Sequence, residues 1–471
     1  MNSITELLDL EDSDILISDI QVNGTRKQIT LETHPTPQYC PSCGFRMHSR
    51  GIKTRSISHP ILQDGFSLIL LLKQRRWRCS NPDCQYETNE SFRFVNRSRR
   101  TTNATDMLII LAFKDLNESA ASIAKKFKTS DTHVLDVFDR YVKMDRLTLT
   151  DIISVDEVYT DMDDDGKYAL VIQDFHTGDP IDLLRSRRSK ITEPYFASIP
   201  PKERYQVKYL LSDMYNPYLS FVDKYFPNAV PVVDSFHVIQ WVIHSIDMYI
   251  RQLEKDFRKR DREREEHMSA DQGRPISLPM SDELYLLKKY RWLILSNREN
   301  ITYHSDLRMD PHFHRLMNTY NYEDALFRID PRLRTLRDLK EKYIYFNSCN
   351  AGQPLKASDE LEDIIDYYYQ SDDRIFVDFA TLLSKYKEPI INSFVMAEKN
   401  GPGGLYNSRL SNGPIESLNR KVKDLKRNGH GYRNFEHFRN RFLYATRNNP
   451  VLSAYSDHPL VQYYEDDEDC D

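Results

Sequence analysis

The chain has 471 residues, 40% of them hydrophobic and 11% aromatic, with 29 Tyr and 22 Phe. That size predicts two to four folding units with a sizeable core, and that composition excludes an intrinsically disordered protein. The net charge of -6 excludes a uniformly basic polyanion binder, and no apolar run reaches the roughly 20 residues of a bilayer span. The first thirty residues lack the basic and apolar segments of an export signal, so the chain is expected in the cytoplasm. Charge is unevenly spread: six of the last seven residues, Glu465 to Asp471, are acids, whereas Ser417 to Arg447 carries nine Lys/Arg against two acids. A phosphate-binding face and a solvated helix face both fit that basic block.

In chain order, Asp14 to Glu32 predicts a hairpin, because apolar residues alternate on both sides of Asn23-Gly24. Cys40-x2-Cys43 and Cys79-x4-Cys84 follow, separated by an excursion that contains a strand over Phe66 to Leu72. Two close cysteine pairs beside Pro41, Gly44 and Pro82 have the spacing of knuckles that converge on one tetrahedral Zn²⁺. Disulfides are the alternative, disfavoured in a reducing compartment. Four protein ligands would make that zinc structural, while isolated Cys349 and Cys470 read as a core and a tail residue. The basic run Lys73, Arg75, Arg76 and Arg78 around Trp77 suits either phosphate contacts or a charge-protected strand edge.

Between Glu118 and Lys143 two short amphipathic stretches flank Thr129-Ser130-Asp131, the pattern of a helix-turn-helix. Ser130 or Asp131 is placed to cap the second helix, and a helix over Asp106 to Asp115 would complete a three-helix unit. Thr132, His133 and Asp136 then sit near the leading end of a helix suited to the major groove; a plain helical hairpin remains the alternative.

From residue 151 the pattern becomes α/β. Strands are expected at Ile152 to Val158, Tyr168 to Ile172, Ile181 to Leu184, Val207 to Leu211 and Ala229 to Val233, with acids at Asp156, Asp213 and Asp234. Three strands in succession, a helix, then a strand ending in an acid is the order of a ribonuclease-H-like sheet. Carboxylates gathered on strands are expensive to desolvate and call for cations. Mg²⁺, or Mn²⁺ in its place, suits hard oxygen ligands, and neutral histidine does not improve on them. A charged helical stretch then runs to Gly401-Pro402-Gly403-Gly404, and a last helical block follows the turn Asn412-Gly413-Pro414 with Glu416 in its first turn.

Ser154-Val155-Asp156-Glu157, Ser212-Asp213-Met214-Tyr215, Phe226-Pro227-Asn228-Ala229, Val233-Asp234-Ser235-Phe236-His237-Val238 and Ser411 to Arg420 together resemble the IS-L-three family of insertion-sequence transposases, of the DDE class. Lys423 to Arg427 and Gly429 to Phe435 extend the match. The resemblance implies a metal-binding catalytic triad of Asp156, Asp213 and Glu416, with an all-helical insertion before the last member. Asp234-x2-His237 resembles the paired acid and histidine of related families, placed to contact DNA or support the site, with a core histidine as the alternative. Read from their own charge, Arg420, Lys421, Lys423, Lys426 and Arg427 form a stripe suited to gripping DNA backbone phosphates. Ser417 stands where the family usually has Gly.

The expected organisation is multidomain, mixing α+β and α/β: a zinc-ribbon-like module at 1–95 and a helix-turn-helix at 96–148. A ribonuclease-H-like core would occupy 149–254 and 405–450, split by a helical insertion at 255–404, before an acidic tail at 451–471. The expected activity is binding of terminal inverted repeats in double-stranded DNA, with metal-dependent strand cleavage and transfer by a homodimer or larger assembly. A catalytically silent DNA-binding regulator is the alternative.

Overall fold

The computed structural model describes residues 5–6, 8, 10, 12, 14–61, 65–163, 166–214 and 216–453; the expected acidic tail from 454 on, with Cys470, lies outside them. The amino-terminal sheet has the order β1 (Ile15–Asn23), β2 (Arg26–Thr33), β4 (Ser67–Cys79), β3 (Met47–His59), with β5 (Glu87–Asn89) also on β4. The β1–β2 hairpin turns at Gly24, whose φ of 59° is open to glycine. The strand expected over Phe66 to Leu72 instead runs on to Cys79, and β3 fills the earlier part of the excursion, where no strand was expected. This corrects the edge reading of the basic run, because β4 is paired on both sides. Gln74 is buried against the Glu90 carbonyl, and Lys73 and Arg78 are paired with Glu32 and Glu87.

Three helices follow: α1 (Asn103–Ala112), α2 (Ala120–Phe127) and α3 (Asp131–Tyr141). Thr102 caps α1, which starts three residues earlier than expected, and Ser119 and Ser122 form a capping box on α2. Lys128 ends α2 in the left-handed region at φ 52°, and Ser130 caps α3 through the His133 N–H.

The second sheet has the order β10-β9-β6-β7-β8: β6 (Ile152–Asp163), β7 (Gly166–Asp174), β8 (Pro180–Leu184), β9 (Tyr209–Ser212) and β10 (Val230–Val233). β7 is antiparallel to both neighbours, while β6, β9 and β10 are mutually parallel. Helices α4 (Ser189–Ser198), α5 (Pro201–Gln206) and α6 (Asn216–Tyr225) fall between β8 and β10; α4 and α6 cover one face, with Phe196, Phe221 and Phe226 buried against Ile153 and Val155. The other face packs Val158, Ala169 and Val171 against α1–α3 and two late helices, α15 (Gly413–Asn428) and α16 (Phe435–Thr446).

Between β10 and α15 the chain is mainly helical. α7 (Ser235–Gln272) is continuous for 38 residues, through the position where the insertion was expected to begin. α8 (Asp282–Tyr290) and α9 (Trp292–Leu295) precede a small hairpin, β11 (Arg308–Asp310) and β12 (Arg315–Met317). Five helices follow: α10 (Thr319–Ile329), α11 (Arg332–Cys349), α12 (Pro354–Tyr369), α13 (Arg374–Lys385) and α14 (Lys387–Asn392). Their apolar faces share one core with the first half of α7. Gly401 to Gly404 is the turn of a hairpin, β13 (Met396–Gly401) and β14 (Gly404–Arg409). Cys349, expected in the core, is exposed at the end of α11.

Phe138 of α3 lies 4.6 Å from Phe113, 5.1 Å from His437 and 6.1 Å from Tyr444 (ring centroids), so the three-helix unit and α16 share a core. Phe138→Ala is expected to destabilise the protein by about 3–5 kcal/mol in urea denaturation, with the helices around α3 and the second sheet lost in one transition.

Candidate active site

Register places three acids in a row. Ser154 of β6 pairs with Leu211 of β9, and Ser212 of β9 pairs with Val233 of β10. Continuing β9 and β10 outward by one residue brings Asp213 and Asp234 level with Asp156, which lies partway along β6, on the edge of the parallel strands where open α/β sheets bind ligands. Strand alternation separates Asp156 from Glu157. Glu157 is paired with Arg187 and accepts a 3.1 Å hydrogen bond from the Tyr218 hydroxyl, whereas Asp156 accepts from Asn419 Nδ2 of α15 at 2.7 Å.

Helix α15 supplies the rest. Pro414 opens it, and Ile415, Leu418, Val422 and Leu425 form its buried stripe. That stripe fixes the helix rotation, so Glu416 and, one turn on, Asn419 face the strand tips. Asn419 also lies 3.4 Å from the Glu157 carbonyl. Ligand atoms of Glu416, Asp234 and His237 all lie within 4.8 Å of one another; Asp156 and Asp213 are not members of that group. Asp234 caps α7 by accepting from the Phe236 N–H, which holds His237 one turn along.

Burial, and next the negative Asp213, push the Asp156 carboxyl up to about 6, against a lowering by the Glu157 N–H and the His237 ring. Burial also raises Asp234, offset by N–H groups of Phe236 and Asn412 and by the charges of His237 and Arg409. Arg409 is itself half-buried, donating to the Ser393 and Asn347 carbonyls at 2.8 and 2.9 Å. His237 Nε2, Asn412 Oδ1 and Asn419 Oδ1 are buried with no hydrogen-bond partner in the structure. Carboxylates forced together, beside polar atoms lacking partners, fit a site for divalent cations with their waters.

Residues 153–442, more than half the chain, match the sequence model of the IS-L-three DDE family, described as a transposase. The chain belongs to that family. It is also 22% identical over 425 residues to the transposase for insertion sequence element IS1001 of Bordetella parapertussis, covering 88% of this chain and 90% of that protein.

In this transposase the four amino-terminal cysteines converge, all thiols within 4.8 Å of one another. Cys43 and Cys79 Sγ are 3.3 Å apart and Cys40 and Cys84 Sγ 3.7 Å apart, and all four are free thiols rather than disulfides. Gly44 turns the first knuckle at φ 73°, and the Phe45 N–H holds the Cys43 thiol down to about 7. Such a cluster is suited to zinc.

The residues expected to meet DNA divide into two kinds. Thr132 is exposed at the start of α3, but His133 is turned inward, 3.0 Å from Thr101 Oγ1 and 3.7 Å from Asp106, and Asp136 is paired with Arg99. On α15, Arg420, Lys423 and Arg427 lie on the same side as Glu416, with Arg420 and Lys423 exposed and Arg427 bonding Asp424 at 2.7 Å. Lys421 is half-buried, and Lys426 donates to the Thr160 carbonyl over the Tyr159 ring. Sequence reasoning misses Asn419, although its position three residues after Glu416 puts it on the same helix face.

A carboxyl raised on folding makes the native state bind a proton more tightly than the unfolded chain. Stability is therefore lost as pH rises from the ordinary aspartate value towards about 6. Asp156→Asn is expected to raise metal-free stability by about 1–3 kcal/mol at pH 8 and by nothing near pH 3, measured by chemical denaturation with chelator present.

Proposed function

We propose that this transposase binds the terminal inverted repeats of its element and cuts and joins DNA strands with Asp156, Asp213 and Glu416, on a ribonuclease-H-like core. The observation that carries the reading is the register that lines up Asp156, Asp213 and Asp234, with α15 reaching them through Glu416 beside Asp234 and Asn419 bonded to Asp156. The strand order β8-β7-β6-β9-β10, with β7 antiparallel to both its neighbours and the last three strands parallel, supports the ribonuclease-H-like assignment. Asp156, Asp213 and Glu416 would hold the ions and Asn419 would fix the Asp156 carboxylate. Two divalent ions, Mg²⁺ or Mn²⁺, would activate a water or 3′-hydroxyl and stabilise the leaving oxygen. Arg420, Lys423 and Arg427 would lay backbone phosphates along the helix that presents Glu416.

The proposed organisation is a zinc module at 1–95, a helix-turn-helix at 96–148 reading the major groove from α3, a core at 149–254 and 405–450, and an insertion at 255–404. Thr132 fits the DNA-facing role better than His133. Acting on two element ends, the protein would work as a dimer or larger assembly. No described helix is long and apolar enough to cross a membrane.

Asp156→Asn, Asp213→Asn and Glu416→Gln are each expected to abolish Mg²⁺-dependent cleavage of terminal-repeat DNA while leaving its gel shift in place. Cutting by Asp156→Asn would contradict the assignment, and a wild type that shifts DNA without cutting would favour a regulator. The double variant Arg420→Ala/Lys423→Ala should make the slope of log affinity against log salt shallower by about 0.9 for every phosphate that the variant no longer neutralises. Cys43→Ala should release the zinc equivalent, read by atomic absorption, and lower the melting temperature of the amino-terminal sheet.

A further inference from the structure

Asp234, His237 and Glu416 are donors of two kinds, two carboxylates and an imidazole, gathered within 4.8 Å. They come from elements already fixed for other reasons: Asp234 from the cap of α7, His237 one turn along it, and Glu416 from the first turn of α15. The His237 Nε2 atom is buried and unpartnered. A second observation points the same way. Asn412 and Asn419 flank Glu416 on the chain, are 1% and 7% exposed, and each leaves its Oδ1 without a donor. Arg409, whose charge lowers Asp234, does not fill the place, because its guanidinium is bonded to Ser393 and Asn347.

Magnesium takes oxygen ligands and gains little from imidazole, whereas later divalent transition metals such as zinc and iron accept nitrogen and carboxylate oxygen together, and manganese, though it prefers oxygen, also binds imidazole. Asp156 and Asp213 offer oxygen alone. We propose that Asp234, His237 and Glu416 form a mixed nitrogen–oxygen site that takes a divalent transition-metal ion, for which Mn²⁺ serves as the probe, at a position separate from the Asp156–Asp213 pair. Glu416 would then stand between the two positions, and an ion held by His237 would set where its carboxylate rests.

The test is pulsed electron paramagnetic resonance of the full-length, zinc-loaded protein with substoichiometric Mn²⁺ and no DNA. The expected spectrum shows ¹⁴N coupling from a directly bound imidazole, converted to ¹⁵N coupling when the protein is grown with ¹⁵N-histidine. His237→Gln should remove that coupling and weaken Mn²⁺ binding by at least about tenfold, whereas Asp156→Asn, which removes a ligand only from the other position, should keep the coupling. Absence of nitrogen coupling in the wild type, its persistence in folded His237→Gln, or its loss in Asp156→Asn would each overturn the proposal. Should circular dichroism show that His237→Gln does not fold, Asp234→Asn replaces it, and undiminished Mn²⁺ affinity there is contradictory. The readout is ion binding, so its failure is distinguishable from failure of the cleavage reading, which the Mg²⁺ assay tests.

Discussion

Desolvated negative charge at the ends of β6, β9 and β10 is the constraint around which the second half of the molecule is organised. Asp156 and Asp234 are held as reluctant anions, largely by burial and in part by their neighbours. Such a cluster persists only where the surrounding structure is stable enough to force it, and it is relieved by cations. Parallel register provides the forcing. Because β6, β9 and β10 run the same way, Asp156 partway along β6 and the residues just beyond β9 and β10, Asp213 and Asp234, come into register and cannot avoid one another.

The opposing side of the site arrives from far along the chain. Asn419 and Asp156 are 263 positions apart, yet they are joined by a 2.7 Å hydrogen bond. What brings α15 to β6 is its own apolar stripe against the sheet, together with α16, whose Arg441 reaches the Asp115 carbonyl and whose His437 bonds Asp139 of α3 at 2.5 Å. The intervening helices add a core of their own. Within it Asp310 is buried and accepts from the Tyr285, Tyr290 and Tyr322 hydroxyls; Tyr322, the Phe313 and His312 N–H groups and Tyr285 keep its carboxyl down at about 2 despite burial. This long segment rejoins the sheet at Asn392, which donates to the Pro231 carbonyl of β10, just upstream of Asp234. The helical segment therefore closes back onto the acids rather than hanging from them.

Much of this was legible in the sequence because its signals are local. Asn23-Gly24 fixed a hairpin, the cysteine spacing foretold a cluster, Ser130 capped the helix it was placed to cap, and the five strands from 152 to 233 followed their apolar runs. What escaped is non-local. β3 reads as polar because most of its residues face solvent, and its pairing with β4 depends on a partner beyond an intervening loop. The basic stretch from Lys73 looked like an edge since its ion-pair partners, Glu32 and Glu87, lie elsewhere in sequence. His133 looked free for DNA until Thr101 and Asp106 were packed beside it. At the site, the acids were readable from strand tips, but the grouping of Glu416 with Asp234 and His237 depends on the rotation of α15 against a sheet that lies far away in sequence.

The central claim is that the strand-tip carboxylates exist to bind divalent ions. Anomalous diffraction from crystals soaked in Mn²⁺ tests it most directly. A peak within coordinating distance of both Asp156 and Asp213 is the result expected, with Glu416 at its border. Crystals in which manganese settles elsewhere, leaving those two carboxylates without an ion at saturating concentration, would contradict it.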